Sequence, residues 1–256
     1  MIDSHCHLDF EPLDANEALL SRCAQAGLTD IVVPGVLPSQ WSRVREISTR
    51  SRTVRIHASA GLHPCWIGRN VLSAKIFAQT LADNLDGCVA IGECGLDGSI
   101  PTEMATQEAW LGIHLQMACE LGKPLILHGH KAHNELLRLL TRYRPAAGGV
   151  IHAFAGSLEL ARQYWRLGFY IGVGGTITYD RARKTRSAIG AMPLESLVLE
   201  TDAPDMPLCG AQGQPNSPLQ LPKVADCLAV LKAVSLASIV EQTDANAQRL
   251  FKLSGC

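Results

Sequence analysis

Two histidines separated by one residue, His5 and His7, stand near the start of the chain, shortly after the strand-like run Ile2–Asp3. Alternate residues of a β-strand point the same way, so both imidazoles can face one ion. A pair of surface histidines on an edge strand would show the same spacing. The pair therefore indicates a metal site only together with the residues at other strand ends.

Further residues of types that can bind metal ions come after other apolar runs that resemble strands. They are Glu93, His128, His152 and Asp202. Burying so many polar groups without partners is costly, which disfavours a purely structural role for all of them. Imidazole and carboxylate ligands suit Zn²⁺, Mn²⁺ or iron, and Mg²⁺ where carboxylates and water dominate.

Six candidate ligands exceed what one tetrahedral zinc ion requires. They are enough for two ions bridged by a carboxylate and a water, about 3.5–4 Å apart in known two-metal sites. We therefore expect two divalent ions, of zinc, manganese or magnesium, as cofactors. Such ions lower the pKa of water towards neutrality and neutralise charge on a phosphodiester, so the predicted chemistry is hydrolysis.

The hydrophobic pattern predicts the elements that position these side chains. Eight short apolar runs alternate with longer amphipathic segments, at about 32 residues per unit. The runs are Ile2–Asp3, Asp30–Val33, Arg55–Ala60, 88–92, 124–127, Gly149–Ile151, Phe169–Val173 and Leu197–Leu199. Helical spacing covers 14–26, 39–51, 104–121 and 132–143, with two further helices near 222–234 and 236–252. This pattern predicts an α/β fold, a (β/α)8 TIM barrel, with a doubly wound open sheet as the alternative.

We expect one domain over residues 1–256, because the chain has no internal repeat and no linker. A loop rich in proline and glycine, 204–222, follows the last strand. Active sites of these barrels lie at the carboxyl ends of the strands, so this loop should lie over the same mouth as the candidate ligands.

Composition excludes several classes of protein. Lys and Arg number 23 and Asp and Glu 24, which argues against a strongly basic nucleic-acid binder. The nine cysteines include no C-x-x-C, so neither a disulfide framework nor a zinc ribbon is expected. By alternation, Cys6 and Cys94 should face away from the ions.

The acidic N-terminus and the lack of a long apolar run predict a cytoplasmic protein with no membrane partner. The sequence has neither heptad repeats nor an apolar stripe expected to be exposed, so we predict no obligate protein partner.

Longer motifs, in order over nearly the whole chain, resemble the TatD-related family of metal-dependent hydrolases and deoxyribonucleases. They are the HxH at 5–7, GLHP at 61–64, GECGLD at 92–97, LILH at 125–128, HAFAGS at 152–157, GFYIGVGGTITY at 168–179, LETDAP at 199–204 and NAQRLF at 246–251. The stretches GVGGTITYDRARKTR and ETDAPDMPLCGAQGQPN resemble the YjjV branch of that family.

The resemblance implies two ions joined by Glu93, which would therefore belong to the catalytic centre. One ion would be bound by His5, His7, Glu93 and Asp202, and the other by Glu93, His128 and His152. Asp202 would also be the general base that orients or deprotonates the attacking water.

The family often has an arginine two residues after the strand-five histidine, where this chain has His130. This difference puts in doubt any phosphate contact of that arginine. An exposed loop histidine is favoured here over a donor to substrate or a partner that orients a ligand.

Residues that could hold a substrate follow strand seven and strand three. Arg181, Arg183, Lys184 and Arg186 put four positive charges into six residues, which could grip phosphates or simply form a solvated first helical turn. His63 could contact a phosphate or only cap the turn before Pro64.

The function favoured by these residues is that of a phosphodiesterase or deoxyribonuclease acting on DNA ends. The alternative is a metal-dependent deacylase or amidohydrolase acting on a small metabolite or aminoacyl-tRNA, since the same ligands would serve. Strand four ends in Glu93 rather than lysine, which argues against a carbamylated lysine bridge. A catalytically idle barrel is disfavoured, because all six ligand positions are filled.

Overall fold

The strands form one parallel sheet in sequential order. The structure is a computed structural model that describes residues 1–13, 15–51 and 53–253. Within these ranges the strands are β1 (Ile2–Asp3), β2 (Asp30–Val33), β3 (Arg55–Ala60), β4 (Ala90–Asp97), β5 (Leu125–His130), β6 (Gly149–Ile151), β7 (Phe169–Val173) and β8 (Leu197–Leu199). Backbone hydrogen bonds of 2.9 Å from Ser4 N–H to the Leu199 carbonyl and from Asp202 N–H to the His5 carbonyl join the two ends of the sheet. The fold is the predicted (β/α)8 TIM barrel.

Helices follow the strands and cover the barrel. They are α1 (Glu17–Gln25), α2 (Trp41–Arg50), α3 (Ala74–Asn84), α4 (Met104–Leu121), α5 (His133–Tyr143), α6 (Leu158–Arg166), α7 (Arg183–Ala191), α8 (Leu221–Lys232) and α9 (Leu236–Phe251). Side chains of Asn16, Ser73, Ser157 and Ser235 accept a backbone N–H in the first turn of α1, α3, α6 and α9. These caps satisfy donors that a helix leaves free, and so fix where the helices begin. The predicted helix 14–26 starts at residue 14, which lies outside the described residues.

Two apolar clusters follow from strand alternation. Ile31 and Val33 of β2 pack with helix residues such as Leu20, whereas Val32 belongs to a second cluster. That second cluster takes one residue from most strands, together with Phe251 at the end of α9. Because neighbouring strand residues point to opposite faces, the second cluster is the barrel interior, and the end of α9 packs against it.

Strands β4 and β5 are longer than the predicted runs 88–92 and 124–127. The register shifts between Ile91 and Cys94, where Gly92 has a φ of 143°, so a bulge carries the strand past the predicted end. Gly95 also has positive φ, and a Cβ there would lie 2.0 Å from the His128 carbonyl oxygen. Glycine therefore allows β4 and β5 to stay paired as far as Asp97 and His130.

This extension corrects the expectation for His130. The residue ends β5 instead of lying in a loop, although its side chain is exposed as expected. Within the described residues, no helix combines the length and apolar character needed to cross a bilayer.

Candidate metal centre

The carboxyl ends of the strands surround a cavity of about 790 Å³. The six predicted ligands meet here: His7, Glu93, His128, His152 and Asp202 line the cavity, and His5 is fully buried beside them. The connection after β8 contributes Asp205 and Met206 to the wall. That loop therefore lies over the mouth, as its place in the sequence predicts.

The carboxylate of Glu93 lies at the centre of this group, and each of its oxygens faces different imidazoles. Oε2 lies 3.3 Å from His5 Nε2 and 3.5 Å from His7 Nε2. Oε1 lies 2.7 Å from His152 Nε2 and 3.4 Å from His128 Nδ1. One side chain thus joins two sets of nitrogen atoms, which is the geometry a bridging carboxylate requires.

Asp202 completes the group around Glu93 Oε2. Its Oδ1 lies 3.4 Å from His5 Nε2 and 3.7 Å from His7 Nε2, and these two nitrogens are 3.2 Å apart. Burial lowers the pKa of His5 to about 4 and that of His7 to about 3. Both rings are therefore neutral near pH 7, which is the form that binds metal ions.

The buried carboxylates make this side of the cavity suited to a cation. Burial and repulsion from Glu93 and Glu200 raise the pKa of Asp202 well above its ordinary value. Burial opposes ionisation of Glu93 too, but His152 and His63 outweigh it and hold its pKa well below the usual range. A divalent cation between Glu93 and Asp202 would offset the repulsion and allow both to ionise, so the donor set fits such an ion.

A buried hydrogen-bond network fixes the two ligand-bearing segments relative to each other. Asp3 accepts hydrogen bonds from the backbone N–H of His5 at 3.2 Å and from the Thr201 hydroxyl at 2.7 Å. Asn216 Nδ2 donates to the Thr201 carbonyl at 2.8 Å, which ties the long loop to the same point. Asp202 itself has a φ of 56°. The sequence predictions missed Asp3 and Asn216, since both act through backbone groups brought together only by folding.

His63 reaches the same carboxylate with a different ring orientation. Its Nε2 lies 3.2 Å from Glu93 Oε1, and its Nδ1 accepts the Cys65 N–H at 3.2 Å. An accepting Nδ1 leaves the proton of a neutral ring on Nε2. His63 therefore caps the turn before Pro64 and also lines the cavity, with Nε2 as a donor. The phosphate contact stays a prediction.

Asp97 is a cavity residue that sequence reasoning missed. Its Oδ2 lies 3.2 Å from His128 Nε2, so the other nitrogen, Nδ1, is left to face Glu93. Burial alone would lower the pKa of His128, but hydrogen bonds to Asp97 and Glu93 outweigh it and raise the pKa to about 9. A cation bound at Nδ1 would therefore have to displace a proton from that nitrogen. A carboxylate behind a histidine is a common way of orienting a metal ligand. Its position four residues after Glu93, in GECGLD, was the available signal.

Glu200 is a second missed residue. It is 0 % exposed, and burial raises its pKa to about 8. Among the described residues, three groups of side chains have ligand atoms close enough to hold a metal ion: His5 with His7 and Glu93, His63 with Glu93 and His128, and His5 with His152 and Glu200. Glu200 therefore lies among the candidate ligands, although the sequence, in which it stands two residues before Asp202, suggested no role for it.

The basic residues after β7 separate into two kinds. Arg181, Arg183 and Lys184 are exposed, and the Arg181 guanidinium lies 5.0 Å from the centre of the Tyr179 ring. Arg186 instead donates to the Ile177 carbonyl and contacts Cys227 Sγ at 3.7 Å. Three of the four charges are therefore available to a ligand, and Arg186 holds α7 against its neighbours.

The cysteines near the ligands face the core, as alternation predicts. Cys6 and Cys94 are both buried in the first apolar cluster. In the part of the chain that the structure describes, the cysteines are free, and none belongs to a group able to hold a metal ion.

A TIM barrel whose strand ends carry histidines around a shared glutamate is the architecture of a metal-dependent hydrolase. The sequence profile of TatD related DNases matches residues 2–252. The chain belongs to the TatD family of metal-dependent hydrolases.

Individual relatives agree with this assignment. The chain is 41% identical to the uncharacterized metal-dependent hydrolase YjjV of Escherichia coli K12, over 98% of both chains. The crystal structure of that TatD homolog superposes with a TM-score of 0.93 at 39% identity, covering 99% of this chain and 98% of the other. The 3′-5′ ssDNA/RNA exonuclease TatD of Erwinia billingiae is 30% identical, over 93% of both chains.

Proposed function

We propose that this chain is a divalent-metal-dependent phosphodiesterase that acts as a deoxyribonuclease on DNA ends. The observation that carries the proposal is Glu93, whose two oxygens face two separate sets of imidazoles. Two ions bridged in this way suit the in-line displacement of a phosphodiester. The Erwinia relative, named as an ssDNA/RNA exonuclease, supports nucleic acid as the substrate class.

Six side chains would hold the ions. His5, His7, Glu93 and Asp202 would bind one ion, and Glu93, His128 and His152 would bind the other. When bound, the ions supply Lewis acidity and lower the pKa of water, and zinc, manganese and magnesium all suit this mixture of nitrogen and oxygen donors.

Asp202 is the general base in this proposal. Its carboxylate lies beside Glu93, at the edge of the cavity that substrate must enter. There it orients the attacking water and takes its proton at a carboxylate oxygen. Burial disfavours the ionised form of Asp202. Asp202 can therefore act as a base near pH 7 only when the positive charge of a bound cation stabilises its carboxylate.

Substrate is held by donors around the mouth. His63 lines the cavity with its Nε2 at 3.2 Å from Glu93 Oε1, and Nε2–H can donate to a phosphate oxygen at the cleaved bond. Arg181, Arg183 and Lys184 contact phosphates further along the strand. The whole chain has a net charge of −1, so DNA binding must be local to these residues, and it should weaken as salt rises.

The proposal is tested with end-labelled single-stranded DNA and metal-loaded protein in Mg²⁺, Mn²⁺ or Zn²⁺, beside a panel of amides, cyclic amides and aminoacyl esters. Label should be released from DNA, and Asp202→Asn should abolish release while far-ultraviolet circular dichroism stays unchanged. Asp226→Asn, an exposed carboxylate on α8, is the matched control. Efficient turnover of an amide or ester with DNA left intact would overturn the proposal in favour of a deacylase or amidohydrolase.

The two-ion arrangement is tested separately by mass spectrometry of bound metal. Glu93→Ala should bind fewer ions per chain than the unaltered protein, since both sites lose a ligand. Unchanged stoichiometry would show that Glu93 is not the bridge.

A further inference from the structure

Glu200 has a buried carboxylate oxygen for which folding provides no donor. Its Oε1 accepts the backbone N–H of Ala153, the residue after His152. Its Oε2 is buried and has no hydrogen-bond partner among the described residues. A buried carboxylate oxygen without a hydrogen-bond partner destabilises the fold, so a partner for Oε2 is expected.

Two buried ring nitrogens nearby are also without partners. They are Nδ1 of His5 and Nδ1 of His152. The two rings are stacked and nearly parallel, with 3.9 Å between centroids and 8° between planes. Ring nitrogens of both histidines lie within 4.8 Å of a Glu200 carboxylate oxygen.

The direction of each ring decides where its proton must lie. In both rings Nε2 faces Glu93, at 3.3 Å for His5 and 2.7 Å for His152. A neutral imidazole that gives its Nε2 lone pair to a cation carries its hydrogen on Nδ1. Two donors and one acceptor, all buried and all unpartnered, therefore lie together behind the metal centre.

The neighbouring strand is shaped around this carboxylate. A Cβ added to Gly172 of β7 would lie 2.3 Å from Glu200 Oε2 and 2.7 Å from its Cδ. Any other residue at 172 would have to displace the carboxylate. The glycine therefore keeps open the place from which Glu200 reaches both histidines.

We infer that Glu200 is a positioning residue of the metal centre, whose Oε2 accepts hydrogen bonds from the Nδ1–H groups of His5 and His152. These bonds fix the tautomer in which each Nε2 faces an ion, and the bond from Ala153 holds the backbone of His152 in place. The two histidines belong to different ions, so Glu200 supports both sites from one point. The inference rests on the metal ligands of the proposed function, but it does not depend on the substrate being DNA.

Two variants test the inference. Glu200→Gln keeps an oxygen for the Ala153 N–H but puts an amide NH₂, which cannot accept a hydrogen bond, in place of Oε2. Gly172→Ala keeps glutamate at position 200, but its added methyl group should displace the Glu200 carboxylate. Gly174→Ala is the matched control, because its Cβ would lie at an ordinary 3.4 Å from Glu200 Cγ.

The first measurement is the affinity of metal-stripped protein for Zn²⁺, by calorimetry. Partners of this kind change metal affinity by about 10–100-fold, and we expect a loss of that size in Glu200→Gln and Gly172→Ala but not in Gly174→Ala. The second measurement is the imidazole NMR spectrum of the zinc-loaded protein, in which two Nδ1–H resonances should shift upfield in Glu200→Gln. A residue that only filled space would leave those resonances in place.

Unchanged affinity in both variants, with unchanged Nδ1–H resonances, would overturn the inference even if the protein cleaves DNA. Reduced affinity and shifted resonances would support it even if DNA is not the substrate. Gly172→Ala keeps the test decisive should Glu200→Gln fail to fold.

Discussion

The neighbours of each imidazole decide what that ring can do, although all the rings have the same chemistry. His128 and His63 both approach Glu93 Oε1, but His128 does so with Nδ1 and His63 with Nε2. Asp97 takes the other nitrogen of His128, while the Cys65 N–H takes that of His63. We therefore expect His128 to be a ligand and His63 a donor.

Replacing His63 should separate turnover from metal binding. His63→Ala removes a hydrogen bond to a charged group, worth about 1.5–3 kcal/mol, so kcat/KM should fall about 10–100-fold. The number of ions per chain, measured by mass spectrometry, should not change. His130→Ala is the control, because His130 lines the same cavity from an exposed position. A loss of bound metal in His63→Ala would make His63 a ligand instead.

Replacing Asp97 should weaken metal binding more than it weakens folding. Asp97→Asn removes the charge that fixes the His128 ring, and the affinity for the second ion should fall about 10-fold or more in calorimetric titrations. Asp205→Asn is a matched control, since Asp205 also lines the cavity. Equal affinities in the two variants would contradict a role of Asp97 in orienting His128.

The sequence was sufficient to predict which histidines and carboxylates converge on the cavity, and insufficient to find Asp97 and Glu200 beside them. His5 and His7 carry a spacing, and the other ligands follow strand-like runs, so their convergence follows from the barrel. Asp97 contacts the His128 ring on the next strand, and Glu200 is proposed to act on the rings of His5 and His152. Such contacts depend on register and side-chain direction, which one sequence does not reveal.

At the scale of elements, the pattern predicted the order of strands and helices better than the ends of β4 and β5. Apolar runs mark where a strand is buried, and both runs stop where polar ligands begin. The strands continue through those ligands, because Gly92 and Gly95 accept conformations with positive φ. A polar strand end with glycines thus resembles a loop in the sequence.

Gly95→Ala should test whether steric fit at this crossing matters beyond backbone conformation. The new Cβ would lie 2.0 Å from the His128 carbonyl oxygen, whereas one at Gly87, also at positive φ, would have nothing within 4 Å. We expect Gly87→Ala to lower the free energy of unfolding by about 1 kcal/mol, and Gly95→Ala to lower it clearly more. Urea unfolding measures both, and equal losses would show that conformation alone is responsible.

At the scale of the molecule, a charged cluster at the amino ends of the strands contributes to stability far from the metal centre. Asp30 is buried and accepts hydrogen bonds from Arg55 Nε and His57 Nε2, both at 2.7 Å. Burial would raise the pKa of Asp30, but the bonds from His57 and Arg55 outweigh it and hold the pKa below its ordinary value. The charged form is therefore favoured by folding.

Asp30 should accordingly make stability depend on pH on the acid side. An unfolded aspartate has a pKa of about 3.9, so the contribution is complete above that pH and is lost as pH falls towards the lower folded value. Asp30→Asn should reduce the free energy of unfolding by about 2 kcal/mol at pH 6 and flatten its decline below pH 4. Urea unfolding in EDTA at several pH values measures this. The same slope in both proteins would contradict the assignment, and Asp226→Asn is the exposed control.

The eight strands belong to one sheet, and we propose that residues 1–256 form a single domain. The barrel and its long mouth loop were predictable because repeated strand and helix segments leave few topologies. How β1 and β8 meet to close the sheet was not predictable, since they are among the shortest strands.

Because β1 and β8 meet at the candidate metal centre, a bound ion would affect stability as well as chemistry. His5 and His7 lie on one side of this junction and Asp202 on the other, and Asp3 and Thr201 beside them are 198 residues apart in the chain. An ion held by these three side chains would act as a non-covalent cross-link enclosing most of the polypeptide, and links that close long loops restrict the unfolded chain most. Zn²⁺ should therefore slow hydrogen exchange most at residues 4–7 and 197–203, and uniform slowing over the barrel would contradict this. Loss of the ion would then free β1 and β8, the two ends of the sheet, before it disturbs the other strands.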